Sequence, residues 1–343
     1  MNCERRIFGV FLFLCRTGCY NGEVDKKQTK GRHTMNSWKM RAAALMLLAA
    51  ALVFGTAAAQ ETMTFTDDLG RSVTVPKQPQ RVAAMIGSFA DIWCLAGGKD
   101  VLVAAADDTF RSFDLSLPDE VINLGATKDP SMEKLLLANP ELVIASCSTA
   151  RNVELEPAFA QMGLNAVYFD VDTFEDYLRM LKTCTEITGC AQNYALYGED
   201  VRAQVEAARA RADGSRPSVL YIRASKSGCK VKGSEGSVLG EMLAAMDCVN
   251  IADSETSLLE QLSMEAILQA DPDFIFVVEQ SADPAVAKAV LEETLFSNPA
   301  WQTLTAVRED RVHVMDSALY NLKPNARWGE AYEKLADILY GQQ

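Results

Sequence analysis

Residues 131–145 read SMEKLLLANPELVIA, and residues 263–277 read SMEAILQADPDFIFV. Each segment predicts a short helix that a serine caps and a proline ends, followed by an apolar strand. Glu133 and Glu265 fall in the first helical turn, where negative charge is favoured. A repeat of this length indicates two lobes of like design, because each copy supplies the same helix and strand.

The segment between the two copies predicts a long helix. Residues 173–212 are rich in Ala, Glu, Arg, Leu and Gln, and Gly189 is expected to interrupt the helix they form. The part from 191 to 212 would span roughly 30 Å at 1.5 Å per residue. On both sides, short apolar runs alternate with amphipathic ones, a pattern typical of parallel sheets with crossover helices. The predicted fold is therefore α/β: two Rossmann-like lobes with mainly parallel sheets, bridged by one long α-helix, with a ligand cleft between the lobes.

The N-terminal region has the layout of a secretory signal peptide. Lys39 and Arg41 precede an apolar run at 42–55, and an Ala-x-Ala pattern at 57–59 offers a cleavage point before Gln60. No cysteine follows that point, so lipid attachment there is not expected, although the sequence leaves open whether the protein is free or membrane-tethered. We expect an exported protein, in the periplasm or on the outer face of the cytoplasmic membrane. The predicted segments are a non-native upstream extension (1–34) whose role stays open, a signal peptide (35–59), an N-terminal lobe (60–188), a connecting helix (189–214) and a C-terminal lobe (215–343).

Net charge and residue content limit the kinds of molecule that the protein is expected to bind. The whole chain has a formal net charge of −13, and the part from Gln60 onward has 24 basic and 43 acidic residues, a net charge of −19. This sign disfavours nucleic acid as a partner, and the protein is expected to be a monomer. His313 is the one histidine in that part, so no metal site and no intrinsic cofactor are predicted. Its six cysteines suggest scattered thiols or one or two local disulfides, with Cys184 and Cys190 the shortest candidate pair.

Motifs for catalysis are absent from the sequence. It contains no GxGxxG after a strand, no GxxxxGK[ST], no GxSxG and no HExxH. The glycine-rich segment at 233–237 suits either an anion-binding turn at a helix N-terminus or a flexible loop. The chain is therefore predicted not to be an enzyme.

Five segments in order carry a family resemblance: residues 64–84, the two Ser-Met-Glu segments, residues 298–315 (NPAWQTLTAVREDRVHVM) and residues 322–340 (LKPNARWGEAYEKLADILY). Together they resemble the periplasmic binding proteins that serve iron-siderophore, haem and cobalamin ABC importers. The resemblance implies two lobes on a rigid helix. It also implies that Glu133 and Glu265 dock onto arginines of a permease dimer that works with an ATPase. Charge pairing of this kind steers encounter and fixes register.

Ligand contacts are expected from the loops that follow the strands. The candidate ligand-binding residues are Ser88, Phe89, Trp93, Phe110, Arg111, Arg151, Tyr168, Tyr221, Arg223, Lys226, Glu279 and Tyr320. Arginine forks suit carboxylate or catecholate oxygens, and aromatic rings suit a flat chelate. Ligand identity stays open: a ferric siderophore ranks first, cobalamin or another corrinoid second, and haem third because histidine is scarce. The alternatives are a stand-alone exported chelate scavenger and an exported α/β enzyme.

Overall fold

The computed structural model describes residues 60–280 and 284–341. The predicted upstream extension (1–34) and signal peptide (35–59) lie outside these residues. Within the described residues, no helix is both long enough and apolar enough to span a bilayer.

The N-terminal lobe contains a hairpin and a parallel sheet. The antiparallel hairpin pairs β1 with β2 across the turn at Gly70, whose positive φ of 77° suits glycine. The sheet has the order β5-β4-β3-β6-β7, and all its neighbours are parallel. The strands are β1 (Thr62–Thr66), β2 (Ser72–Pro76), β3 (Val82–Ala84), β4 (Leu102–Ala105), β5 (Ile122–Asn123), β6 (Leu142–Ser146) and β7 (Ala166–Phe169).

Helices cover both faces of this sheet. They are α1 (Gly87–Trp93), α2 (Asp107–Ser112), α3 (Met132–Ala138), α4 (Ala150–Glu154), α5 (Glu156–Gln161) and α6 (Phe174–Thr188), with a π-helical turn at Cys94–Gly98 and a 3-10 turn at Lys99–Val101. Thr173 and Asp176 form a capping box that starts α6. Gly189 ends α6 in the left-handed region, at φ 77°, which places the predicted interruption at this residue.

The connecting helix is continuous, but the type of helix changes along its length. It consists of α7 (Ala191–Tyr194), a π-helical turn (Ala195–Glu199) and α8 (Asp200–Arg209). It therefore ends three residues before the predicted boundary at 212. The π turn contains Gly198, where a Cβ would lie 3.0 Å from the ring of Tyr194. The carbonyl oxygen of Tyr197 in this turn accepts a hydrogen bond from the phenol of Tyr177 on α6 at 2.8 Å, a tertiary contact that helix propensity does not encode.

The C-terminal lobe has a similar sheet, with four parallel strands and one antiparallel strand. Its sheet has the order β10-β8-β11-β12 with parallel neighbours, and β9 pairs antiparallel with β8. The strands are β8 (Ser218–Ser225), β9 (Gly228–Lys232), β10 (Val249–Asn250), β11 (Phe274–Gln280) and β12 (Val312–Met315). The helices are α9 (Val238–Ala245), α10 (Ile251–Ser254), α11 (Ser257–Glu260), α12 (Met264–Ala270), α13 (Pro284–Leu291), α14 (Thr305–Arg308), α15 (Ser317–Tyr320) and α16 (Trp328–Tyr340), with further turns at Glu292–Phe296, Pro299–Thr303 and Asn325–Arg327.

Three apolar clusters form the core. One lies on the outer face of the N-terminal sheet and one on the outer face of the C-terminal sheet. The third contains residues of both lobes and of the helices between them. The observed fold thus confirms the prediction of an α/β protein with two mainly parallel sheets and a helix that bridges them.

All six cysteines of the described residues are free thiols. Cys184 is fully buried on α6, whereas Cys190 lies beyond Gly189 and packs against Gly97, so the candidate pair does not form a disulfide here. Burial raises the pKa of Cys94 to about 12 and that of Cys147 to about 11. A thiol with a raised pKa is rarely ionised and is therefore a poor nucleophile.

Candidate functional site

The topology fixes where a ligand would lie. In each lobe the order of the strands reverses between two central strands, β3 and β6 in the first lobe and β8 and β11 in the second. Ligands of doubly wound folds bind outside the carboxyl ends of the strands at such a point. We call the space between these two strand ends the interlobe cleft.

Three cations lie together on the C-terminal wall of this cleft. Arg223 pairs directly with Lys230 across the β8–β9 hairpin, and Tyr221 pairs with Lys232. Residues opposite each other in an antiparallel pair share a face, as do residues two apart on a strand. Arg223, Lys230 and Lys232 therefore point the same way, and we call them the cation cluster. The face is the interlobe one, because Tyr221 belongs to the apolar cluster that both lobes share.

The cation cluster is not neutralised by neighbouring carboxylates. None of its three side chains forms an ion pair with a carboxylate among residues 60–280 and 284–341, and the buried Nε of Arg223 lacks a hydrogen-bond partner there. Burial lowers the pKa of Lys232, as do the nearby charges of Arg223 and Lys230, and Asp172 of the opposite lobe partly offsets this. The cluster thus faces the N-terminal lobe across the cleft.

A seam of polar contacts joins the lobes at the base of the cleft. Lys323 Nζ lies 2.9 Å from Asp172 Oδ1, and both side chains are largely buried. Asn325 donates from Nδ2 to the carbonyl oxygen of Ser88 at 2.9 Å and to Asp91 Oδ2 at 2.8 Å. We call these five residues the interlobe seam. They hold helix α1 of one lobe against the segment that precedes α16.

The N-terminal wall carries the opposite charge. Asp108 and Asp170 follow β4 and β7, and one carboxylate oxygen of each is buried without a hydrogen-bond partner in the described structure. Burial raises the pKa of Asp108, and burial together with the neighbouring Asp172 raises the pKa of Asp170. Buried polar atoms without partners are costly, so a bound molecule that donates hydrogen bonds to these two carboxylates would be favoured.

Five predicted ligand contacts lie in the core instead of on the cleft wall. Each is at most 2% exposed: Phe89, Trp93, Tyr168, Tyr221 and Tyr320. The phenol of Tyr168 donates to the carbonyl oxygen of Asn152 at 2.8 Å, and that of Tyr320 donates to the carbonyl oxygen of Ala331 at 2.8 Å. A position directly after a strand does not distinguish core residues from cleft residues. An aromatic side chain at such a position can also fold back onto the sheet.

The other predicted contacts remain accessible or lie at the lobe boundary. Ser88 is in the interlobe seam, and Phe110 exposes 40% of its surface on α2. Arg111 pairs with Asp107 at 2.5 Å and Arg151 with Glu154 at 3.1 Å, both within their own helices. Lys226 is exposed in the β8–β9 turn. Glu279 pairs with Ala224 on β8, so strand alternation places it on the sheet face opposite to Arg223.

Sequence reasoning missed four charged residues of the cleft: Lys230, Lys232, Asp172 and Lys323. The sequence GCKVK of β9 carried a usable signal, because its two lysines alternate with Val231 as in a strand with one polar face. Asp172 and Lys323 are 151 residues apart, and only the tertiary fold brings them together.

The two Ser-Met-Glu helices have closely matched geometry. Ser131 Oγ accepts from the Lys134 amide and Ser263 Oγ from the Ala266 amide, each at 3.3 Å. Both helices end in a left-handed residue, Asn139 at φ 45° and its counterpart Asp271 at φ 38°. Glu133 and Glu265 therefore occupy equivalent exposed positions, and neither forms an ion pair or side-chain hydrogen bond with another described residue.

The family model for periplasmic binding proteins matches residues 82–319, which include both sheets and both Ser-Met-Glu helices. The chain belongs to this family. It is thus the exported substrate-binding component of an ABC importer.

Known periplasmic binding proteins resemble it over most of its length. YhfQ of Bacillus subtilis, assigned as an ABC transporter substrate-binding lipoprotein, is 24% identical over 77% of this chain and 84% of its own. The achromobactin-binding periplasmic protein of Dickeya dadantii is 27% identical over 59% of this chain and 66% of its own. The crystal structure of a periplasmic haem-binding protein from Pseudomonas aeruginosa superposes with a TM-score of 0.62 at 22% identity, covering 76% of this chain and 93% of that one.

Proposed function

We propose that this periplasmic binding protein captures a negatively charged ferric siderophore in the interlobe cleft and delivers it to its permease. The observation that carries the ligand class is the cation cluster, three positive side chains with no carboxylate partner among the described residues. No carboxylate of the described residues forms an ion pair with the cluster, so the negative groups of a bound ligand could pair with it directly. Carboxylate or catecholate oxygens of a chelate fit the arginine fork and the two ammonium groups.

The burial of the tyrosines favours a ligand in which the metal is already fully coordinated. Tyr168 and Tyr221 are fully buried, so neither phenol reaches an iron in the cleft. The one histidine beyond Gln60, His313, stacks on Phe274 and Phe276 with ring centroids 6.1 and 5.8 Å apart. A hexadentate siderophore saturates its iron without protein ligands. A corrinoid would not require contacts with the cation cluster. Haem would contact the cluster only through its carboxylates. The similarity to an achromobactin-binding protein agrees with this order.

Titration of the purified chain with four probes tests the ligand class. The probes are a ferric catecholate siderophore, a ferric carboxylate siderophore, cyanocobalamin and haemin, and tryptophan fluorescence is the readout because Trp328 lies at the lobe boundary. We expect quenching by a ferric siderophore, with an affinity that falls as salt rises. Tight binding of cyanocobalamin alone would replace the proposal, and no response to any probe would reject it.

Neutralising the cluster should weaken that binding. We expect the double substitution Arg223→Gln and Lys232→Gln to lower siderophore affinity about tenfold to a hundredfold, because two charge-assisted contacts are lost. Lys182→Gln, at an exposed lysine on α6, is the matched control and should bind like the wild type. Equal affinity of the double variant and the control would contradict the role of the cation cluster.

We propose further that Glu133 and Glu265 dock the protein, as a monomer, onto basic residues of the permease. Their equivalent positions, exposure and lack of partners among the described residues support this. The double substitution Glu133→Ala and Glu265→Ala should abolish uptake and leave ligand affinity intact, which transport assays and the fluorescence titration measure separately. Unchanged uptake would favour the alternative of a stand-alone scavenger.

A further inference from the structure

The helix that carries Glu133 also carries an exposed apolar pair. Leu136 and Leu137 expose 50% and 74% of their surface, and Leu137 is the most exposed large apolar side chain of the described residues. Residues three and four positions apart share one face of a helix. Leu136 and Leu137 therefore flank Glu133, while Leu135 and Ala138 on the other face are buried against the N-terminal sheet.

The matching face of the C-terminal lobe has a different character. In the repeat, Leu268 takes the place of Leu136 and Gln269 takes the place of Leu137. Leu268 packs partly against the C-terminal core, and Gln269 is exposed. The two lobes thus present the same carboxylate with different neighbours, apolar on α3 and polar on α12.

Neither the helix nor the lobe needs this apolar face. Lysine, glutamine and glutamate support a helix about as well as leucine does, and an exposed leucine gains nothing from the core. Leu136 and Leu137 lie beside Glu133, whose carboxylate lacks a partner among the described residues. A surface of this kind matches a partner whose basic residue sits beside an apolar depression.

We propose that Leu136 and Leu137 are the apolar half of an asymmetric docking surface and pack into such a depression on one permease subunit. This inference rests on the proposed docking role of Glu133 and Glu265. The N-terminal lobe then gains affinity from apolar burial, which salt does not screen, whereas the C-terminal lobe docks through polar contacts around Glu265.

The test uses the cognate permease–ATPase complex, reconstituted in liposomes. ATP hydrolysis is measured against the concentration of the ligand-loaded binding protein at low and at high ionic strength. The double substitution Leu136→Ser and Leu137→Ser should raise the half-saturating concentration about tenfold or more at both ionic strengths. Leu136→Met with Leu137→Met should retain wild-type docking because the apolar surface is kept. Leu196→Ser, at a leucine 53% exposed on the connecting helix, is the matched control.

The outcomes separate this inference from the one on which it rests. If the serine variant docks like the wild type while Glu133→Gln weakens docking, the apolar contact is refuted and the carboxylate contact stands. If neither Glu133→Gln nor Glu265→Gln changes the half-saturating concentration, the docking surface lies elsewhere and both proposals fail. A serine variant whose defect vanishes at high ionic strength would also refute the apolar contact, since burial of leucine is not screened.

Discussion

Asp91 is a mostly buried carboxylate in the interlobe seam. It accepts a hydrogen bond from Asn325 Nδ2 at 2.8 Å, yet burial outweighs this contact and raises the pKa of Asp91 above its ordinary value. A raised carboxyl pKa means that the folded state binds the proton more tightly than the unfolded state. The ionised form therefore lowers the free energy of unfolding as the pH rises above the ordinary carboxyl pKa.

Replacing Asp91 with asparagine should stabilise the protein at neutral pH. The amide oxygen can still accept from Asn325, and the cost of a buried charge is removed. We expect the gain to grow as the pH rises above the ordinary carboxyl pKa and to vanish below it, where Asp91 is protonated in both states. Urea denaturation across this range measures it, with Asp100→Asn at an exposed carboxylate as control. A gain in stability that does not change with pH would contradict a raised pKa for Asp91.

At the scale of single elements, local sequence was a good guide wherever the deciding contacts are local. The two Ser-Met-Glu helices begin at a serine cap and end just before a proline, and both features were readable from adjacent residues. Strand β9 was missed because five residues of alternating valine and lysine gain their stability from pairing with β8. The π turn in the connecting helix was missed for the same reason, since its Tyr197 carbonyl oxygen accepts a hydrogen bond from Tyr177 on α6.

The cation cluster shows how a site at this scale escapes a sequence search. Arg223 was a candidate because it lies near the carboxyl end of a predicted strand. Lys230 and Lys232 were not, because only the register of the hairpin sets Lys230 opposite Arg223. A basic patch is thus a property of pairing between two strands, whereas each lysine by itself resembles an ordinary exposed residue.

At the scale of the whole molecule, the shared apolar cluster couples the lobes. Trp328 is fully buried at the start of α16 and packs edge-on against Phe174 of the N-terminal lobe, with ring centroids 5.8 Å apart. Polar contacts of the interlobe seam lie beside it. We therefore expect the two lobes to unfold together and to close on a ligand only to a limited extent.

Substitution of Trp328 by alanine should weaken this coupling. We expect a loss of about 3 to 5 kcal/mol in the free energy of unfolding, typical for a large aromatic residue removed from a core. Hydrogen exchange should rise in both α6 and α16. Trp301→Ala is the matched control, because Trp301 belongs to the cluster of the C-terminal lobe alone and should leave α6 protected. Unchanged exchange in α6 after Trp328→Ala would show that the lobes are not coupled through this residue.

The sequence by itself determined the lobe design, the bridging helix and the two exposed glutamates, because caps, turn residues and apolar periodicity act over a few neighbouring residues. Only the tertiary structure decided which side chains line the cleft. It placed five predicted contacts in the core, and it brought Lys323 into an ion pair with Asp172 from a distant part of the chain. The physical reason is that burial and charge pairing depend on strand register and on the packing of one lobe against the other, which no local pattern specifies.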